Sequence, residues 1–168
     1  MRILHWFRKD LRLDDNTALS EAARDSGGDV VPFYMSEPAV LGRPDMAAAR
    51  VRFVLDSLAA LSADIAAAGS HLGLGHGEAA AGVLRAARAV GAGAVYWNDE
   101  YEPQLRRRDD EVDQTLRAAG LGVKRFHDRL LVPPLTLMDQ AAAIEGLHVV
   151  WIERERALEL RECFVALA

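Results

Sequence analysis

Short apolar runs alternate along this chain with longer segments that repeat apolar residues at three- and four-residue steps, and glycines separate the two kinds of segment. The runs are RILHWF (2–7), DVVPFY (29–34), His71–Leu74, AVYW (94–97) and Val123–Phe126. The longer periodicity predicts helices over Thr17–Arg24, Ala47–Ala68, Glu78–Ala89 and Leu105–Ala119. Strands joined through helices of this length return parallel to one another, because hairpins need far shorter connections. The chain therefore reads as α/β: a doubly wound, Rossmann-like, mainly parallel sheet of five or six strands in the order 3-2-1-4-5.

Local signals sharpen the boundaries. Asn16 or Asp15 suits the cap of the first helix, and Gly27-Gly28 ends it. Pro32 weakens the second strand. Residues 35–46 contain Pro38, Gly42 and Pro44 and read as a loop with little regular structure. In the long helix, Val51, Val54, Leu55, Leu58, Leu61 and Ile65 form one apolar stripe. Residues 127–135 read as irregular, Leu137–Ile144 as a helical turn or two, Leu147–Ile152 as a sixth strand, and Ala157, Leu160, Phe164 and Leu167 as the face of a last helix. The domain division expected is 1–134 for the α/β unit and 135–168 for a divergent tail packed on it.

A length of 168 residues suits one hydrophobic core. The formal net charge of −5 argues against direct DNA binding by this chain, since phosphate recognition calls for a basic excess. One cysteine, Cys163, allows no internal disulfide, which fits a cytoplasmic setting. No apolar run approaches the length that crosses a bilayer.

In an open parallel sheet, ligands bind beyond the carboxyl ends of the strands, where strand order reverses. In the expected order that point lies between the first and fourth strands. The loops there, RKDLRLDD (8–15) and NDEYEP (98–103), are the two most charged loops that follow strands. Phosphate-loop and dinucleotide motifs are absent. GLGHG (73–77) reads as a tight turn or, less well, as an anion cradle of backbone amides. The histidines are scattered and Cys163 has no base near it in sequence, so neither a metal centre nor a catalytic nucleophile is expected.

Four ordered blocks, LHWFRKDLRLDDNTAL (4–19), VVPFYMSEP (30–38), ARVRFVLDSLAAL (49–61) and VYWNDEYEPQLRRRDDEV (95–112), resemble the amino-terminal domain of the DNA photolyase and cryptochrome family. The resemblance runs to about residue 134. It implies an α/β domain that holds a light-harvesting antenna pigment: a deazaflavin, a flavin (FMN or FAD) or a folate such as methenyltetrahydrofolate. The family's catalytic FAD belongs to a helical domain that these blocks do not include, so catalytic FAD and unaided DNA repair are not expected. A separate helical photolyase-like subunit, or self-association, is the implied protein partner. The alternatives are a ligand-free structural or protein-interaction domain and a small nucleotide-binding enzyme.

The resemblance also implies site residues. Arg8, Lys9 and Asp10 follow the first strand; Arg8 either meets the pigment or forms a salt bridge with Asp10, Asp14 or Asp15. Phe33, Tyr34 and Met35 border the pigment ring or pack the core. Arg50, at the start of the long helix, reaches over the strand ends. Asn98, Asp99 and Glu102 follow the fourth strand, with Asp99 the foremost candidate to hydrogen-bond the ring edge. An acidic pocket of this kind favours ligands with donor groups. RRRDDEV (106–112) reads as a solvated charged face or as a bridge to the acidic loop before it.

Overall fold

The structure, a computed structural model, describes residues 1–43 and 47–128. Everything expected beyond residue 128, including the sixth strand, the last helix and the division at residue 134, lies outside the described residues.

The elements run β1 (Ile3–Phe7), α1 (Thr17–Ser26), β2 (Val30–Ser36), α2 (Pro38–Leu41), α3 (Ala48–Ala67), β3 (Gly73–His76), α4 (Ala79–Ala89), β4 (Ala94–Asn98), α5 (Pro103–Ala118) and β5 (Gly122–Phe126). All strand pairs are parallel and the order is β3-β2-β1-β4-β5. Order and parallel pairing match the reading of the sequence. Asn16 caps α1 by accepting from the Leu19 amide, and Gly27 closes it at φ 70°. Glu78 caps α4 through the amides of Ala80 and Ala81, and Pro103 opens α5, where its missing N–H costs nothing.

Every residue of β1 and β4 is buried, as a central parallel sheet covered on both faces requires. Leu4, Trp6, Phe33, Met35, Val95 and Trp97 face α4 and α5. Ile3, Ala94 and Tyr96 lie with Ala22 of α1, and Phe7 packs with Leu61 and Ile65 of α3.

Three expectations change. Pro32 does not weaken β2, which continues to Ser36; β3 pairs only from Phe33 onward, so Pro32 stands where β2 has a single neighbour. The segment 35–46 contains the short helix α2. GLGH (73–76) is a strand rather than a turn or an anion cradle, and its glycines answer a packing demand. A β-carbon on Gly75 would stand 2.6 Å from Met35 Sδ and 2.7 Å from Phe33 Cζ, and one on Gly82 would stand 2.3 Å from Met35 Cε.

The α3 stripe is buried only in its second half. Leu61 and Ile65 are in the core, whereas Leu55 is 54% exposed, and Phe53, outside the stripe, is 71% exposed. The first half instead borders an open space above the strand ends, through Arg50, Phe53, Val54 and Ser57.

Candidate functional site

A cavity of about 670 Å³ opens at the carboxyl end of the sheet. Its walls come from four places: Arg8, Lys9, Leu11 and Arg12 after β1; Tyr34, Met35, Glu37 and Val40 at the end of β2 and beyond; the first half of α3; and Glu100, Glu102, Leu105 and Arg108 after β4. The volume falls within the range of small-molecule sites. The position is where an open parallel sheet presents loops from neighbouring strands together.

The walls are of two kinds. Leu11, Val40, Phe53, Val54 and Leu105 offer apolar surface for a flat ring, with Tyr34 half-buried among them. Five lining side chains are cationic (Arg8, Lys9, Arg12, Arg50, Arg108) and three are acidic (Glu37, Glu100, Glu102). The acidic residues of NDEYEP thus share the space with cations that other elements bring, Arg8 and Arg50 among them. Lys9 bonds Glu102 and lies 3.7 Å from Glu100, so the loops after β1 and β4 do meet. The Lys9 hydrogen bond holds the Glu102 carboxyl below its usual value.

Arg8 pairs with Asp109, 101 residues away, and not with Asp10, Asp14 or Asp15. Asp10 instead accepts from the Arg8 backbone amide at 2.8 Å. Arg108 donates to Asp109 through Nη2 at 2.8 Å and to Glu37 through Nη1 at 2.8 Å. Burial pushes the Glu37 carboxyl above its ordinary value, with Arg108 pulling the other way. Burial, and then the Glu37 charge, push the Tyr34 hydroxyl up as well. A carboxylate at a cavity wall suits a ligand that brings its own N–H donor.

On the β5 side of β1 the strand ends close up. Asn98 Nδ2 donates to Asp10 at 2.6 Å and to Asn16 at 2.9 Å, while its Oδ1 accepts from the Ala18 amide at 3.0 Å. Asp99 accepts from Arg125 Nε at 2.6 Å. Asp128 takes the Thr17 amide and hydroxyl and Arg12 Nη2. Between these groups only about 10 Å³ is open, less room than a ligand needs.

Six of the ten residues singled out in the sequence line the large cavity: Arg8, Lys9, Tyr34, Met35, Arg50 and Glu102. Phe33 does not line it; the pleat turns it to the α4–α5 face, opposite to Tyr34. Asp10, Asn98 and Asp99 border the small void instead. Glu37, Phe53 and Arg108 were not singled out. RRRDDEV divides: Arg106, Arg107, Asp110 and Glu111 are exposed, but Asp109 is fully buried and Arg108 partly so. The signal was present, because Leu105, Asp109, Val112 and Leu116 fall on one helical stripe and all four are buried.

Comparison with known proteins bears on this geometry. The family model "DNA photolyase" matches residues 3–152. The chain belongs to the DNA photolyase family. Its match to the family continues past residue 134, the expected end of the resemblance, to residue 152. A deoxyribodipyrimidine photo-lyase of Agrobacterium fabrum is 37% identical over 157 residues, which is 94% of this chain and 31% of that protein. One from a Synechococcus strain is 38% identical over 132 residues, 79% of this chain and 27% of the relative. The chain thus spans less than a third of the length of these two photolyases. Among solved structures, a bacterial class III photolyase from Agrobacterium tumefaciens superposes with a TM-score of 0.74 at 38% identity, covering 94% of this chain and 31% of its own. An archaeal photolyase from Sulfolobus tokodaii superposes with a TM-score of 0.68 at 25% identity, over 86% of this chain and 35% of its own. That protein was solved with two FAD molecules, with the implication of a novel light-harvesting cofactor.

Proposed function

We propose that this chain is a light-harvesting, chromophore-binding domain of the photolyase type, whose pigment occupies the cavity between β1, β2, α3 and α5. The observation that carries this reading is the cavity itself: about 670 Å³, apolar on several walls for a flat ring and charged on others. A flavin, a deazaflavin or methenyltetrahydrofolate fits that chemistry, each being a planar heteroaromatic with ring donors and acceptors and a polar or anionic extension. The cationic excess of the lining receives the anionic extension, while Glu37 and Tyr34 meet the ring edge. Arg8, Lys9, Tyr34, Met35, Arg50 and Glu102 are the contact residues in this reading, joined by Glu37, Phe53 and Arg108. Asp10, Asn98, Asp99 and Phe33 support the site from outside it.

The domain passes excitation energy onward and makes or breaks no bond. Repair of DNA requires the catalytic FAD of a helical region, supplied by a separate photolyase-like subunit or by another part of a longer protein, working in the cytoplasm. The alternative reading is a protein-docking module, for which Leu55 and Leu74, 54% and 69% exposed, offer apolar surface. Purification followed by absorption spectroscopy tests the first reading. A near-ultraviolet or blue band that survives gel filtration, or that grows on adding one of the three pigments, is the expected result. A colourless protein that takes up none of them leaves the docking reading.

A further inference from the structure

Asp109 is 0% exposed and does not line the cavity, yet two of the cavity's arginines end on it. Its Oδ2 receives Arg8 Nη1, and its Oδ1 receives Arg108 Nε at 3.1 Å and Nη2 at 2.8 Å. Both guanidinium groups lie over the Trp6 ring, at 5.0 Å and 5.1 Å from its centre. Arg108 then uses Nη1 to hold Glu37. One carboxylate on α5 therefore fixes a side chain from the end of β1 and, through Arg108, one from the loop after β2.

A buried carboxylate is costly unless both oxygens are well paired. Here each oxygen has an arginine, and the quartet Arg8, Asp109, Arg108 and Glu37 balances two positive against two negative charges. The guanidinium fork has fixed geometry, so anchoring one edge of it sets the direction of the donors that remain. A flexible arginine on a cavity wall would instead lose side-chain freedom each time a ligand bound.

We propose that Asp109 is a positioning residue: it touches no ligand, but it holds Arg8 and Arg108 against Trp6 so that their cavity-facing surfaces are fixed before a ligand arrives. The proposal rests on the cavity being the pigment site proposed above, and its test separates the two.

FMN and riboflavin, which differ by one phosphate, are titrated into wild-type protein, Asp109→Asn and Asp109→Glu. In parallel, the carboxyl resonance of Glu37 is followed with pH in the ligand-free proteins. In Asp109→Asn both flavins should weaken together by about tenfold, the scale of one lost charged hydrogen bond. The groups acting on Glu37 are Arg108 and Asp109 from α5, Arg8 after β1 and Tyr34 on β2. Losing the Asp109 charge should therefore move the Glu37 titration downward. Asp109→Glu keeps the charge but lengthens the arm, and should also weaken both flavins; it decides the matter should Asp109→Asn fail to fold. Tighter FMN binding relative to riboflavin in Asp109→Asn, or wild-type binding in Asp109→Glu, would show that Asp109 supplies charge alone and overturn the proposal. Should wild-type protein bind neither flavin, the flavin form of the pigment reading falls by itself. The Glu37 titration in Asp109→Glu, which keeps the charge, then decides: an upward move, because a displaced Arg108 no longer holds Glu37, supports positioning, and an unmoved titration overturns it.

Discussion

The two sides of β1 use the same kinds of residue to opposite ends. Toward β4 and β5, Asp10, Asn16 and Asn98 turn their polar atoms on one another, Asp128 takes Thr17 and Arg12, and only about 10 Å³ is left open beside them. Toward β2 and α3, Arg8, Arg108 and Glu37 are also paired, yet they border about 670 Å³. The difference lies in what covers the strand ends. On the first side, α1 starts directly over the strands and its cap, Asn16, joins the network. On the second side, α3 carries Arg50, Phe53 and Val54 along the rim of the open space. Charge in a post-strand loop therefore does not mark a binding surface by itself; the neighbouring helix decides whether that charge is closed into a lock or left facing a cavity.

The comparison breaks most readily at Asn98. Its amide serves Asp10, Asn16 and the Ala18 backbone, all buried. Asn98→Ala should cost about 3 kcal/mol in denaturant unfolding, since several buried groups lose partners at once. Pigment affinity of the folded fraction should stay within about twofold of wild type. A large loss of affinity at unchanged stability would merge the two sides into one site.

A smaller effect comes from His5, fully buried beside Phe7, with neither ring nitrogen hydrogen-bonded. Burial lowers its pKa to about 4, against a partial opposing pull from Asp10. A depressed folded value means that the unfolded chain takes up the proton first. Stability tied to His5 is therefore full above the unfolded value of 6.5 and is lost as pH falls toward about 4. Going from about pH 7 to about pH 5 should cost about 2 kcal/mol, and His5→Leu should flatten that slope. An unchanged slope in His5→Leu would place the acid sensitivity elsewhere in the lock.

Much of this contrast was legible in the sequence. Apolar runs of four to six residues and glycine punctuation suffice to read the strands, most plainly β1 and β4, which are buried throughout; the order 3-2-1-4-5 is the one assumed for a doubly wound sheet, and it is the one observed. RKDLRLDD and NDEYEP lie at the end of the sheet where the cavity opens. Which charges would be consumed locally was not legible, because it depends on contacts such as Arg8 with Asp109 and Arg125 with Asp99, 101 and 26 residues apart. Phe33 and Tyr34 are adjacent, and only the register of β2 assigns one to the core and the other to the cavity. Asp109 was readable in principle, as a charged residue on the buried stripe of α5.

The smallest effect sharpens the comparison. Asp99 and Arg125 are each about a fifth exposed and pair at 2.6 Å. Asp99→Ala should cost no more than about 1 kcal/mol, in keeping with a partly solvated ion pair. Isothermal titration should find its pigment affinity unchanged. A clear loss of affinity would move the site toward β5.

The most direct measurement fills the cavity. Ser57 stands on the α3 wall, and Ser57→Trp places an indole in the space assigned to the pigment. Spectral titration of wild-type protein and Ser57→Trp with FMN, a deazaflavin and methenyltetrahydrofolate gives the answer. The account predicts that wild-type protein binds at least one of the three and that Ser57→Trp, with an unchanged unfolding midpoint, binds none. Undiminished pigment binding by Ser57→Trp would contradict it.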